Sequence, residues 1–175
     1  GLHTLHPDYY ELLEFLGPDF QPVLCSADDT KGAIDRKNYP TNEAFISNTM
    51  VFAYQGIGLM CQGIHRPYVA RILQACTDRG SVKLLDVGAG SGQLGLAFHA
   101  LGFYVSLADV ISRSMLFAEW RLRKHGLDTI PIYELDQDAN WFPSIPPQQV
   151  VTCFDVLEHL EPDVQKRLLT WMGEI

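Results

Sequence analysis

The stretch from Lys83 to Phe98, KLLDVGAGSGQLGLAF, constrains the fold of this 175-residue chain more than any other part of the sequence. Its apolar beginning predicts a buried parallel strand that ends near Asp86, and its apolar end predicts a helix. The glycines between them, Gly88, Gly90 and Gly92, tolerate positive φ and carry no Cβ that would keep a ligand away from the backbone. Because the start of the helix presents unpaired N–H groups, the stretch predicts a strand–turn–helix unit that binds a ligand.

Two classes of ligand could occupy such a turn. The spacing of Gly90, Gly92 and Gly95 fits the dinucleotide-binding fingerprint, and Asp109 lies near the distance expected for a ribose contact. Asp86, however, would place a carboxylate just before the glycines, where it would repel the pyrophosphate of a dinucleotide. A carboxylate suits a cationic ligand that carries an α-amino group and a sulfonium. The sequence therefore favours S-adenosylmethionine (SAM) over a nicotinamide or flavin dinucleotide.

Four stretches in the second half of the chain resemble a known family. Residues 85–92, LDVGAGSG, look like motif I of the class I SAM-dependent methyltransferases, and residues 106–109 and 135–138 follow in the family's order. Residues 154–160, FDVLEHL, are similar to a signature of the ubiquinone-biosynthesis-like branch and of many small-molecule methyltransferases. The resemblance covers roughly residues 82 to 172. It implies a Rossmann-like, doubly wound parallel α/β sheet with the strand order 3-2-1-4-5-7-6.

The resemblance also implies roles for the acidic residues that end the strands. Asp86 would approach the amino group of SAM, and Asp109 would accept hydrogen bonds from both ribose hydroxyls. Asp136 would reach the adenine amino group, beside the backbone of Gln137, although Asp138 could take its place. The predicted cofactor site comprises Asp86, Gly88, Ala89, Gly90, Gly92, Asp109, Val110, Asp136, Gln137 and Asp155. S-adenosyl-L-homocysteine (SAH) is the expected product.

Asp155, Glu158 and His159 follow the predicted fourth strand and border the place where the transferred methyl group should lie. His159 could be a general base toward an acceptor hydroxyl or amine, since histidine titrates near neutral pH. The three side chains could instead gather a divalent metal, as a similar EVxEH pattern does in small-RNA 2′-O-methyltransferases. Glu158 and His159 could also serve to orient the loop and the sheet. We predict His159 as the catalytic residue and predict no metal ligand.

Composition limits the kinds of partner that the chain can have. The hydrophobic content is 47% and the charged content 19%, which is typical of a folded chain with a buried core. The net charge of −8 argues against a nucleic-acid partner, and Arg121, Arg123 and Lys124 are interpreted as a solvent-exposed helix face. No apolar run approaches the ~18 residues of a membrane span. The four cysteines form no C-x-x-C pair. We therefore expect a cytoplasmic protein without membrane contact.

Hydrophobic periodicity predicts strands that alternate with helices in the second half of the chain. We expect strands at 82–87, 103–108, 130–135 and 150–154, and helices at 8–16, 42–60 and 66–79, from the glycine turn to 101, and at 112–126 and 162–172, with a long loop at 18–40. Residues 1–65 match no motif, so they are predicted to form a helical cap that faces the substrate. The SAM-binding domain is predicted at 66–175.

The sequence ends after the helix that follows the predicted fourth strand, whereas the resemblance implies further strands. Strand 150–154 would then be an open apolar edge, which is an aggregation hazard unless another element covers it. We expect a chain that is truncated relative to the family, as a fragment of a larger protein. Otherwise, a second copy or a partner chain should cover this edge.

The sequence thus predicts an enzyme that transfers a methyl group from SAM to a small-molecule acceptor, at oxygen. A non-catalytic or partner-dependent SAM-binding module is the main alternative. The negative net charge disfavours a metal-assisted RNA 2′-O-methyltransferase. Asp86 and the absence of a second substrate domain in the sequence disfavour a nicotinamide-dependent oxidoreductase.

Overall fold

The structure, a computed structural model, describes residues 7–17, 53, 56–58 and 63–175. The helices in these residues are α1 (Pro7–Leu16), α2 (Arg66–Cys76), α3 (Gln93–Ala100), α4 (Arg113–Lys124) and α5 (Pro162–Met172). The strands are β1 (Lys83–Val87), β2 (Tyr104–Val110), β3 (Ile132–Leu135) and β4 (Val150–Cys153). A 3₁₀ turn, Leu157–His159, lies between β4 and α5.

The described strands form one parallel sheet in the order β3-β2-β1-β4. This order matches the first four strands of the predicted order, 3-2-1-4. The predicted fold class, a Rossmann-like parallel α/β sheet, is therefore confirmed. In the register of the sheet, Val87 lies opposite Ala108 of β2, and Asp86 lies opposite Thr152 of β4. Because all strands run in the same direction, their carboxyl ends meet at one edge of the sheet, where ligands of doubly wound folds bind.

Side chains of β1 alternate between the two faces of the sheet, as the pleat of a strand requires. Leu84 is fully buried in an apolar cluster that includes Phe98 of α3. Leu85 is fully buried in a cluster on the other face, together with Leu168 of α5. Helices therefore cover both faces. Asp86 is two positions from Leu84 and so shares the face that α3 covers.

Helix α1 and two further residues, Ala53 and Ile57, pack against α4. Tyr9 and Leu12 of α1 are buried in an apolar cluster with Phe117 of α4. Ala53 and Ile57, which lie in the predicted helix 42–60, are fully buried in the same cluster. Residues of α1, Ala53 and Ile57 thus share one apolar core with α4.

Arg121 of α4 is 3% exposed, so the prediction of a solvent-exposed face is wrong at this position. Its guanidinium lies 2.8 Å from carboxylate oxygens of both Asp8 and Glu11 in α1, and it donates to the carbonyl of Ser91 at 3.0 Å. Burial by itself would raise the pKa of Glu11, but Arg121 and His125 outweigh burial and lower it. The pattern of one helix could not predict this burial, because Glu11 lies 110 residues earlier in the chain.

Most predicted elements agree with the observed ones, with differences of a few residues at their ends. Ser112 caps α4 as predicted, since its hydroxyl accepts the N–H of Met115 at 3.1 Å. Strand β2 continues to Val110, so Asp109 lies inside the strand rather than after it. The predicted loop at 18–40 and most of the predicted helix at 42–60 lie outside the described residues. In the part of the chain that the structure describes, no helix has the length and apolarity to cross a membrane.

Candidate functional site

The loop between β1 and α3 is anchored to the end of β2. The N–H groups of Gly88 and Ala89 both donate to the carbonyl of Ala108, at 2.8 and 3.2 Å. The backbone φ angles of Gly88, Gly90 and Gly92 are +71°, +53° and +73°. Glycine adopts these left-handed conformations without the steric penalty that a side chain brings. The backbone of the loop therefore favours glycine at all three positions.

The space around the three glycines differs. A Cβ at Gly88 would lie 2.1 Å from Cγ2 of Val156, and a Cβ at Gly92 would lie 3.3 Å from Cβ of Ala118. These two glycines make room for neighbouring side chains. A Cβ at Gly90 would meet no atom within 4 Å. Gly90 is therefore the glycine of the three that a ligand could approach at its bare backbone.

The carboxylate of Asp109 is bound to this loop. Its Oδ2 accepts the N–H of Gly90 at 2.6 Å, and its Oδ1 accepts the N–H of Val110 at 2.7 Å. Burial raises the pKa of Asp109 to about 6, although both backbone hydrogen bonds lower it. The side chain is thus fixed beside the open space at Gly90. Each carboxylate oxygen keeps a lone pair that can accept a further hydrogen bond.

Asp86 lies near the end of β1 and is 3% exposed. The hydroxyl of Thr152 in β4 donates to its Oδ1 at 2.7 Å. Burial, together with the smaller effect of the Asp109 charge, raises the pKa of Asp86 to about 7. The hydrogen bond from Thr152, the charge of His65 and the backbone N–H of Gly95 act in the opposite direction. Asp86, Asp109 and His65 thus lie within electrostatic reach of one another at the carboxyl ends of the strands.

Asp136 begins the turn after β3 and holds that turn with its own side chain. Its Oδ2 accepts hydrogen bonds from the backbone and side-chain amides of Asn140, at 2.7 and 3.0 Å. Arg167 of α5 donates to the carbonyl of Asp138 at 2.7 Å. Gln137 is half-buried between these residues, whereas Asp138 is exposed. Two elements of the protein therefore fix this turn, and one carboxylate oxygen of Asp136 is left for another donor.

The predicted catalytic residue lies in the exposed loop after β4. His159 ends the 3₁₀ turn, and its backbone N–H donates to the carbonyl of Val156 at 3.0 Å. Asp155, Glu158 and His159 are all exposed. Across the described residues, no group of three or more His, Cys, Asp or Glu side chains is placed to hold a metal ion. The structure thus does not gather these three side chains, and the role of His159 stays a prediction.

His65, which the sequence analysis did not single out, contacts this loop. Its Nε2 lies 3.0 Å from Oδ2 of Asp155. Its ring packs on Phe154 with 5.2 Å between ring centroids, and Tyr68 packs on Phe154 at 5.4 Å. The contact joins residues 90 positions apart, so no local motif could reveal it. The available signal was its position directly before the predicted start of α2, two residues before Pro67.

Comparison with known proteins agrees with this topology. No protein-family model matches the chain. A curated ubiquinone biosynthesis O-methyltransferase of Rickettsia felis is 28% identical over 111 residues, which are 61% of this chain and 42% of that protein. The solved structure of PigF with SAH is similar with a TM-score of 0.57, at 18% identity over 86% of this chain and 47% of PigF. The glycopeptide N-methyltransferase MtfA gives a TM-score of 0.51, at 20% identity over 61% of this chain and 47% of MtfA.

This chain has the class I SAM-dependent methyltransferase fold. The recognition made from motif I is therefore confirmed. The matching segment spans less than half of the curated methyltransferase to which it is similar. SAM is the cofactor that the methyltransferase fold implies, and the residues present fit it. Gly90 offers open backbone, Asp109 offers a fixed carboxylate, and Asp86 offers a buried one.

Proposed function

We propose that the chain binds SAM at the carboxyl ends of β1 and β2 and transfers its methyl group to a hydroxyl oxygen of a small molecule. The observation that carries this proposal is the carboxylate of Asp109, held 2.6 Å from the N–H of Gly90 beside open space. A carboxylate with a lone pair left on each oxygen suits the adjacent hydroxyls of a ribose. The bare glycine backbone next to it would let the rest of the ligand lie close.

We assign the other predicted cofactor residues to the remaining parts of the ligand. We assign the α-amino group of SAM to Asp86, because a buried carboxylate gains more from a cationic partner than an exposed one does. We assign the adenine to the turn of Asp136 and Gln137, where one carboxylate oxygen of Asp136 accepts no hydrogen bond within the described residues. Ala89 and Val110 are half-buried and flank the loop and Asp109. Their side chains supply apolar surface for the ligand.

Bound SAM supplies a methyl group that is already activated on a sulfonium. The protein therefore has to hold the two reactants in line, and proximity can supply much of the rate. The name of the R. felis relative, an O-methyltransferase, supports oxygen as the acceptor atom. MtfA is an N-methyltransferase with the same fold, so the fold alone does not select the acceptor atom.

Titration calorimetry with SAH at pH 7.5 tests the cofactor site. We expect saturable SAH binding and no NAD binding, with Asp109→Asn binding SAH about ten- to a hundredfold more weakly because hydrogen bonds to a charged group are lost. Asp128→Asn is the matched control, since Asp128 is exposed in the loop between α4 and β3, away from the carboxyl ends. Circular dichroism would check that both variants fold. A folded wild-type chain that binds NAD but not SAH would refute the proposal.

A non-catalytic or partner-dependent SAM-binding module is the second candidate, and one observation favours it. Within the described residues, β4 pairs with β1 on one side and with no strand on the other. That edge could receive a strand from a longer chain, a second copy or a partner. Release of SAH from SAM in the presence of catechol, a small hydroxyl acceptor, separates the two candidates, because a binding module gives affinity without turnover. The absence of a nucleic-acid partner and a cytoplasmic location stay part of the proposal on the grounds of composition.

A further inference from the structure

The contact between His65 and Asp155 has the form of an oriented imidazole. His65 is the residue before α2, and its side chain is 12% exposed. Asp155 is 51% exposed, and its backbone adopts φ +56°, a conformation that residues other than glycine seldom adopt. Such backbone strain persists where the surrounding structure requires it and is frequent at functional sites. The 3.0 Å contact between Nε2 and Oδ2 therefore indicates that this backbone conformation places the carboxylate of Asp155 where it can orient the His65 ring.

The partner determines which ring nitrogen of His65 carries the proton. An ionised carboxylate can only accept hydrogen bonds, so Nε2 must be the protonated nitrogen that donates to Asp155. In the neutral ring, Nδ1 then carries the lone pair. This Nδ1 atom is shielded from bulk solvent and has no hydrogen-bond partner in the described part of the chain. A buried acceptor without a donor is costly and calls for a functional explanation or a bound molecule.

The position of His65 points to the donor that could satisfy Nδ1. A protonated His65 would lower the pKa of Asp86, so the ring lies near the end of β1. The ring also packs on Phe154, directly after β4. Ligands of doubly wound sheets lie at these strand ends. An acceptor that meets the methyl group of SAM must enter the same region.

We propose that His65, oriented by Asp155, accepts the proton of the acceptor hydroxyl at Nδ1. This inference rests on the proposed function. When the oxygen–methyl bond forms and the carbon–sulfur bond breaks, the electron pair of the broken bond goes to sulfur and the hydroxyl loses its proton. Nδ1 binds that proton, and the resulting imidazolium remains paired with the carboxylate of Asp155. His65 thus takes the role of base that the sequence analysis assigned to His159.

Substitutions test this role against that of His159. With SAM and catechol, we expect His65→Gln to lower kcat about a hundred- to ten-thousandfold, the usual contribution of a general base. Asp155→Asn should lower kcat less, because the imidazole remains but loses its orientation and its counter-charge. His99→Gln is the matched control, since His99 lies in the last turn of α3, which runs away from the site. His99→Gln should bind SAH within twofold of the wild type, and His65→Gln should still bind SAH saturably, so that its loss of kcat does not reflect a lost cofactor site. A His65→Gln variant with wild-type kcat would overturn the inference.

Nitrogen NMR of the histidine rings gives a readout that does not depend on turnover. We expect the wild-type His65 ring to carry its proton on Nε2 and to show an unprotonated Nδ1. In the presence of SAH, the addition of catechol should shift the Nδ1 resonance, and Asp155→Asn should change the ratio of the two tautomers. A proton on Nδ1, or an Nδ1 resonance that catechol leaves unchanged, would overturn the inference. If the wild type does not bind SAH, the proposed function itself is refuted, and this role of His65 with it.

Discussion

The protonation of Asp86 should control SAM binding, because its carboxylate is buried. Burial, together with the smaller effect of the Asp109 charge, raises the pKa of this group to about 7. In the unliganded protein, Asp86 is thus half-protonated near neutral pH. Only the ionised carboxylate can pair with the cationic α-amino group of SAM or SAH. The proton must therefore leave before the ligand binds at full strength, and affinity should rise with pH.

The size of this effect follows from linkage between proton and ligand binding. For a group that titrates near pH 7 and binds the ligand only when ionised, affinity should fall about eightfold between pH 7.5 and pH 6. Asp109, whose pKa burial raises to about 6, adds a further factor of about two over the same range. We expect Asp86→Asn to bind SAH more weakly at pH 7.5. Its affinity should then change about twofold down to pH 6, through Asp109 alone.

Calorimetric titration of SAH in one mixed buffer between pH 6 and 7.5 measures this dependence. The α-amino group of the ligand stays largely protonated over this range, since α-amino groups titrate near pH 8. Thr152→Val supplies an independent check. It removes the hydroxyl that stabilises the ionised form of Asp86, so the weakening of SAH binding should extend to higher pH. An affinity that does not vary with pH, or an equal slope in wild type and Asp86→Asn, would refute the assignment of the amino group to Asp86.

Two further predictions concern stability. Arg121→Met should lower the free energy of unfolding by about 3–5 kcal/mol, since it removes the guanidinium that pairs with the buried carboxylate of Glu11 and leaves Glu11 to His125 and Lys124. In urea denaturation, Arg123→Met, at a mostly exposed ion pair, should cost less than about 1 kcal/mol, and equal losses would contradict the buried network. Gly88→Ala should lower the melting temperature because the new Cβ would lie 2.1 Å from Val156, and Val156→Ala in the same chain should restore part of the loss. No recovery in the double variant would show that the φ of +71°, rather than the contact, sets the loss.

The features that could be predicted from the sequence are those that depend on local pattern and chain order. The cap of α4 by Ser112 and the bounds of α5 follow from residues within one or two turns of the helix. The meeting of Asp86 and Asp109 follows from parallel strands, because successive strands end at the same edge of the sheet. No knowledge of side-chain contacts was needed for either.

The features that could not be predicted depend on contacts between distant parts of the chain. The helix pattern of α4 does not distinguish Arg121 from Arg123, because the partners that bury Arg121, Asp8 and Glu11, lie in a distant part of the chain. No sequence motif marks His65, because its partner Asp155 lies 90 residues later in the chain. The separate roles of the glycines depend likewise on Val156 and other side chains across the loop. The sequence indicates that this loop needs glycines, but it does not show which of them faces a ligand.

Arg121 and His65, whose contacts could not be predicted from the sequence, connect the N-terminal part of the chain to the candidate site. Arg121 is held by α1 on one side and donates to the carbonyl of Ser91, inside the glycine loop, on the other. His65 pairs with the loop after β4, where the methyl acceptor should lie. Without α1, Arg121 would lose its carboxylate partners in a buried position, and the loop would lose a fixed donor. The residues before α2 therefore do more than pack against α4, because they help to set the geometry of the loop that we propose binds SAM.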